Sequence, residues 1–135
     1  MLVHLKRGEK LYVNGAVLRV DRRTSLEFLN DVNFLLENHV MQAEDANTPA
    51  RQLYFVVQTM LMDPVNAGMT AELYKHLVHR VRQAMKNETM HEILTSADLK
   101  VLDGRYYDAL KLIRSAYAVE AGLLLADPNV KVEAA

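Results

Sequence analysis

The sequence predicts an α+β fold, a small N-terminal antiparallel β-meander of about five strands followed by about four α-helices. Three observations carry this reading. Up to about residue 40 the apolar residues recur with period two, and from residue 41 they recur with helical spacing. Asn14-Gly15 separates two apolar runs, and this dipeptide suits a two-residue hairpin because both central turn positions need positive φ. Thr48-Pro49 then opens a long apolar run, with threonine as N-cap and proline at the first helical position.

The strands are LVHLK, KLYVN, AVLRV, SLEFLN and VNFLLE, rich in Val, Leu, Tyr and Phe. Gly8, Asn14-Gly15, the DRRT segment from Asp21 to Thr24, and Asn30-Asp31 supply the turns. Along the second strand, alternation sets Leu11 and Val13 on one face and Lys10 and Tyr12 on the other. The first helix runs from Thr48-Pro49 to Asp63-Pro64, where proline ends it, and LYFVVQTMLM marks it as buried. Thr70 is expected to cap the second helix, with Leu73, Leu77, Val81 and Met85 as its apolar stripe. A third helix is expected over residues 88–101. A fourth is expected over residues 104–125, ending before Asp127-Pro128. The chain reads as one domain, residues 1–135, with a β-rich part at 1–40, a helical part at 41–126 and a flexible polar tail at 127–135. So small a meander cannot bury its apolar face alone, and must lie on the helices or on a second copy of itself.

Composition narrows the function. Half the residues are hydrophobic and 24% are charged, which fits a folded globular chain rather than a disordered one. With no cysteine there is no thiol nucleophile, disulfide or cysteine-ligated metal, as suits a reducing cytosol. The start MLVHLKRGEK turns charged too early for a signal peptide, and no apolar run reaches the ~18 residues of a membrane span. A cytoplasmic protein without membrane contact is expected. The histidines His4, His39, His76, His79 and His91 form no HExxH pair, and the His76/His79 spacing lacks nearby acidic ligands. The glycines are isolated, no serine sits in a nucleophile elbow, and Glu44-Asp45 reads as a solvated connector. No catalytic residue, cofactor or metal is expected.

The net charge is −1, so any nucleic-acid function must rest on how charge is distributed. Between Met1 and Ser25, Lys6, Arg7, Lys10, Arg19, Arg22 and Arg23 face only Glu9 and Asp21. The turns should gather these cations into one region, with Tyr12 and Phe28 as stacking platforms for single-stranded RNA, although strand aromatics also serve as core. A secondary basic face is Lys75, His79, Arg82 and Lys86, flanked by His76 and Arg80. It could line phosphates or be an ordinary solvated face.

The segments LKRGEKLYVNGAVLRVDRRTSLEF and AEDANTPARQLYFVVQTMLMDP resemble the FlbT family of flagellar-biosynthesis regulators. The resemblance rests on a KxGEKxxxNGA opening from Lys6 to Ala16, the DRRT turn, a TPxRxLYFxxQxMLxDP block from Thr48 to Pro64, and a Tyr-rich closing helix. It implies a post-transcriptional regulator that acts on the 5′ untranslated region of flagellin mRNA, alongside a FlaF-like protein or flagellin itself, with no catalytic residues. Arg51 in the TPxR block joins the expected RNA-binding set. Gln52 stands where the family pattern suggests a second basic residue, so that charge is missing. The opening LKRGEKLYVNG is also similar to the start of the carbon storage regulator family. That similarity implies an RNA-facing edge at Leu2–Arg7 and a homodimer formed through the β-rich part.

Two function classes follow. In the first, the meander binds a flagellin mRNA leader and controls its translation or stability. In the second, the chain is a protein-binding module whose helical surface, including Tyr106, Tyr107, Ile113 and Tyr117, receives flagellin or a FlaF-like partner, and the near-neutral charge favours it. Phosphate-driven binding should weaken steeply with salt and apolar docking should not.

Overall fold

The two periodicities of the sequence build two hydrophobic cores. A computed structural model describes residues 1–126. Its strands are β1 (Leu2–Leu5), β2 (Lys10–Val13), β3 (Ala16–Arg19), β4 (Thr24–Glu27) and β5 (Phe34–Leu36). The helices are α1 (Pro49–Met62), α2 (Ala67–Ala84), α3 (Glu88–Leu102) and α4 (Tyr106–Ala126). The fold class is thus α+β, as the periodicity indicates. The expected tail at 127–135 lies outside the described residues. Among the described residues, no helix is long and apolar enough to cross a membrane.

The strands do not form one meander. β1 pairs with β4, while β2 lies between β3 and β5, and every pairing is antiparallel. The Asn14-Gly15 hairpin forms as expected, with φ of 48° and 85° at its two central residues. After Val20 the chain turns out of that ladder, because the Val20 N–H and C=O are both taken by the β1–β2 turn. β4 therefore continues along β1. Burial explains this choice. Val3 and Leu5 of β1 must cover Leu11 and Phe34 of the other sheet, and Val13, Val20, Leu26, Phe28, Val32 and Leu36 close the rim. A flat meander of three- and four-residue strands would leave one face in water.

The helical core is built around α1, which buries Leu53, Tyr54, Val57, Met60 and Leu61 between α2 and α4. The Thr48 side chain accepts the Arg51 N–H, so the N-cap read from Thr48-Pro49 is in place. α2 differs from expectation at two points. It starts at Ala67, because Pro64–Asn66 already forms a 3₁₀ turn leading into it, and Thr70 lies inside, donating its hydroxyl to the Asn66 carbonyl. Leu73 is off the buried stripe and 39% exposed, and the inward face is Tyr74, Leu77, Val78 and Val81, closed by Met85. Asn87 caps α3 by accepting the Met90 N–H at 2.9 Å.

One short segment joins the two cores. The Asn33 amide donates to the Gly104 carbonyl at 2.8 Å and accepts the Tyr107 N–H at 3.1 Å, holding the first turn of α4. Next to it, the Phe34 ring stacks on Tyr107 with centroids 4.4 Å apart. From the other face of the same sheet, Tyr12 and Leu35 enter the helical core. The connector before α1 is held by Gln58, whose amide grips both the N–H and the C=O of Met41, and by the Tyr54 hydroxyl donating to His39.

Two outcomes are expected. Asn33→Ala strands two backbone groups at the junction and should lower stability by about 1–3 kcal/mol in urea titration. Burial first, and then the Asp98 carboxylate that accepts its hydroxyl at 2.7 Å, raises the Tyr74 phenol far above its ordinary range. Its contribution is complete below the unfolded value of about 10 and is lost as pH rises above it, because only the unfolded chain ionises there. Urea midpoints measured from pH 9 to 12 should therefore fall above about pH 10, and Tyr74→Phe should flatten that fall.

Candidate nucleic-acid interface

Two turns meet at one end of the β half. The Gly8 N–H donates to the Val20 carbonyl at 2.8 Å, and the Val20 N–H donates to the Glu9 carbonyl at 3.3 Å. Gly8 has a φ of 81°, which glycine adopts without strain. These contacts set the β1–β2 turn, with Lys6 and Arg7, against the β3–β4 turn, with Arg22 and Arg23. The Thr24 hydroxyl fixes the second turn by donating to the Arg22 carbonyl at 2.9 Å. On the ladder just behind, Lys10 is paired directly with Arg19. The fold thus brings together the six cations that the sequence singles out near its start.

The nearby carboxylates are occupied mainly by backbone. Glu9 accepts the Lys6 N–H at 3.0 Å, and Glu37, arriving from the end of β5, accepts the Lys10 N–H at 3.0 Å. Asp21 lies 3.6 Å from Arg22, with both side chains more than 80% exposed, so the pair is screened and contributes little. Among the described residues, no ion pair forms at the side chains of Lys6, Arg7, Lys10, Arg19 or Arg23. The Lys10–Arg19 pair is the unusual feature. Like charges directly opposite on a ladder destabilise a sheet, by roughly 0.2–1 kcal/mol by analogy with favourable pairs.

The fold places four other expected features as follows. Of the two aromatics offered as stacking platforms or core, Tyr12 packs on the helical core, and Phe28 lies against Phe34 with centroids 4.8 Å apart. Arg51 does not belong to the cluster. Its guanidinium lies 4.4 Å over the Tyr117 ring and 3.9 Å from Glu120, a carboxylate only 1% exposed. On the secondary basic face, Arg82 donates to Asp98 at 2.7 Å, Lys75 lies 3.4 Å from Glu72 in an exposed pair that is likewise screened, and His79 and Lys86 are exposed. In the helical surface expected for a protein partner, Ile113 is fully buried, Tyr107 is stacked on Phe34, and Tyr117 lies beneath Arg51.

Sequence reading missed two acids. Glu120 accepts the Ala50 N–H at 2.6 Å and so answers the N-terminus of α1, and its one sequence signal is an acid set among apolar residues late in α4. Glu37 gave no signal, being 27 residues from the lysine it supports. A separate cleft of about 510 Å³ adjoins the start of α4, where Arg105 lies 2.7 Å from Asp108 and 3.6 Å from Asp31, and Lys111 lies 5.1 Å over the Tyr107 ring. Among the described residues, no group of three or more side chains could hold a metal ion.

With this geometry established, comparison with known proteins places the chain. The model of the family described as Flagellar protein FlbT matches residues 1–124. The chain belongs to the FlbT family. It is 52% identical over 124 residues to a Chelativorans protein named "Probable flagellum biosynthesis repressor protein FlbT", covering 92% of this chain and 86% of that one. Proteins of the same name from Rhizobium leguminosarum bv. trifolii and Mesorhizobium japonicum are 48% and 42% identical, covering 90% and 95% of this chain and 82% and 87% of theirs. No solved structure matches. The FlbT resemblance read from the Lys6–Ala16 opening and the Thr48–Pro64 block is therefore a family relationship over nearly the whole chain.

Two substitutions separate the roles of the arginines in this FlbT chain. Arg19→Thr relieves the like-charge pair and is expected to leave stability equal or raise it by up to ~1 kcal/mol. Arg51→Ala leaves Glu120 without its cation and is expected to lower stability by about 1–3 kcal/mol. Urea titration of both variants checks the contrast.

Proposed function

We propose that this FlbT-family chain regulates flagellum biosynthesis by binding the 5′ untranslated region of flagellin mRNA, controlling its translation or stability, through the basic end of its β half. The Lys10–Arg19 pair, set within four more cations, carries the reading. A cross-strand repulsion with no structural benefit is expected where an anionic ligand relieves it. Phosphates are such ligands, and each one neutralised adds affinity that falls with salt. With Tyr12 and Phe28 turned inward, contact rests on the RNA backbone, and base stacking contributes little. The names of the FlbT relatives, as biosynthesis repressors, support a regulatory rather than a catalytic role.

The competing reading, a protein-binding module for flagellin or a FlaF-like partner, loses support because the aromatic residues expected to form its surface are engaged within the fold. Gel-shift titration against a flagellin leader and a scrambled control, at several salt concentrations, distinguishes the two. Arg22→Ala/Arg23→Ala is expected to stay folded, to weaken leader binding several-fold and to lower the slope of log affinity against log salt by roughly 1–1.5. Unchanged binding by this double variant would remove the proposed surface. No binding by the folded wild-type protein would move the weight to a protein partner.

A further inference from the structure

The outer strand β3 is a fully exposed edge. All four of its residues, Ala16 to Arg19, are exposed, with Val17 at 62% and Leu18 at 46%. It is hydrogen-bonded to β2 on one side and has no strand on the other. Solitary edges are usually blunted by short length, charge, proline or bulges; β3 is short and ends in Arg19, but it has no proline or bulge and offers Val17 and Leu18 on a regular ladder.

The hairpin determines what that ladder presents. In a two-residue hairpin, Val13 and Ala16 exchange hydrogen bonds, and so do Leu11 and Leu18, whereas Tyr12–Val17 and Lys10–Arg19 are non-hydrogen-bonded pairs. The Val20 N–H, given to the Glu9 carbonyl, continues the same alternation. The N–H and C=O groups of Val17 and Arg19 therefore point away from β2.

We propose that two copies of the chain join antiparallel along β3, about a two-fold axis through Val17. In this register Val17 and the partner's Val17 exchange two hydrogen bonds. Leu18 falls opposite the partner's Ala16, large against small. Arg19 falls opposite the partner's Gly15, which brings no charge and no side chain of its own to the pair. Sliding by two residues would set Leu18 against its own copy but bring the two Arg19 side chains, each already beside a Lys10, into diagonal contact. Sliding by one would turn apolar side chains to the other face. The strand thus matches large against small and keeps like charges apart in one register.

Such a dimer (a deepening of the RNA-binding reading, on which its functional meaning rests) joins β5-β2-β3 of each copy into one six-stranded sheet. The two basic ends then point in opposite directions, with their Arg19 residues displaced by four strand positions, about 13 Å. One leader RNA could engage both ends, and the second contact would be intramolecular.

The test is sedimentation equilibrium of the full chain without RNA. The wild-type protein is expected to have the mass of two chains. Val17→Pro removes an outward-facing N–H and no bond of the β2–β3 ladder, and Leu18→Lys puts a charge opposite the partner's Ala16. Both are expected to have the mass of one chain, with unchanged far-UV circular dichroism. Single-chain mass for the wild type up to its solubility limit overturns the proposal, as does a folded Val17→Pro protein that remains dimeric. Should the proline variant lose structure, Leu18→Lys decides by the same criterion. A monomeric wild type that still binds leader RNA removes only this interface, and a dimer that binds no leader removes only the RNA reading.

Discussion

Everything at the basic end depends on whether two very short sheets can be held in place. Strands of three and four residues bury too little apolar surface to stand alone, so the β half needs an external anchor. That anchor is Asn33 with Phe34 against the first turn of α4. The amide accepts an N–H that the start of a helix leaves open and donates to the Gly104 carbonyl in the connector just before it, and the adjacent ring stacks on Tyr107. Because β5 then pairs with β2, the hairpin that carries Lys10 and Arg19 is oriented by the helical core through one intermediate strand.

The charge arrangement at this end sets like charges side by side, with Lys10 directly opposite Arg19. Acidic residues that could neutralise the end instead serve backbone N–H groups, as Glu9 and Glu37 do, and so shape the turns while leaving the cations exposed. Elsewhere the chain handles charge conventionally. Arg82 shares Asp98 with Tyr74 between α2 and α3, and Arg51 joins Glu120 and Tyr117 at the start of α1. Among the described residues, Arg51, Arg82 and Arg105 of the helical half each meet a carboxylate, whereas Arg7, Arg19 and Arg23 of the β half form no ion pair.

Much of this was legible in the sequence, because it depends on local chemistry. Asn14-Gly15 encodes a tight hairpin through backbone conformation, Thr48-Pro49 encodes a helix start, and the change of period encodes where strands give way to helices. What was not legible depends on partners distant in sequence. That β4 pairs with β1 follows from the need to cover Leu11 and Phe34, which no turn signal records. Arg51 and Arg22 look alike as letters, and only the fold places one beside a buried carboxylate 69 residues away. Leu73 shows the limit of periodicity within a helix, since the neighbouring Tyr74 fits the same spacing and takes the buried position.

The central claim is that phosphates are bound at the junction of the β1–β2 and β3–β4 turns. Nuclear magnetic resonance mapping of backbone amides during titration with flagellin leader RNA tests it directly, because it reports location as well as affinity. The account predicts salt-sensitive shifts centred on residues 6–10 and 19–24, with α1 and its Glu120 contact undisturbed. Shifts confined to α2 and α3, or none at a concentration where the RNA is retained, would contradict it.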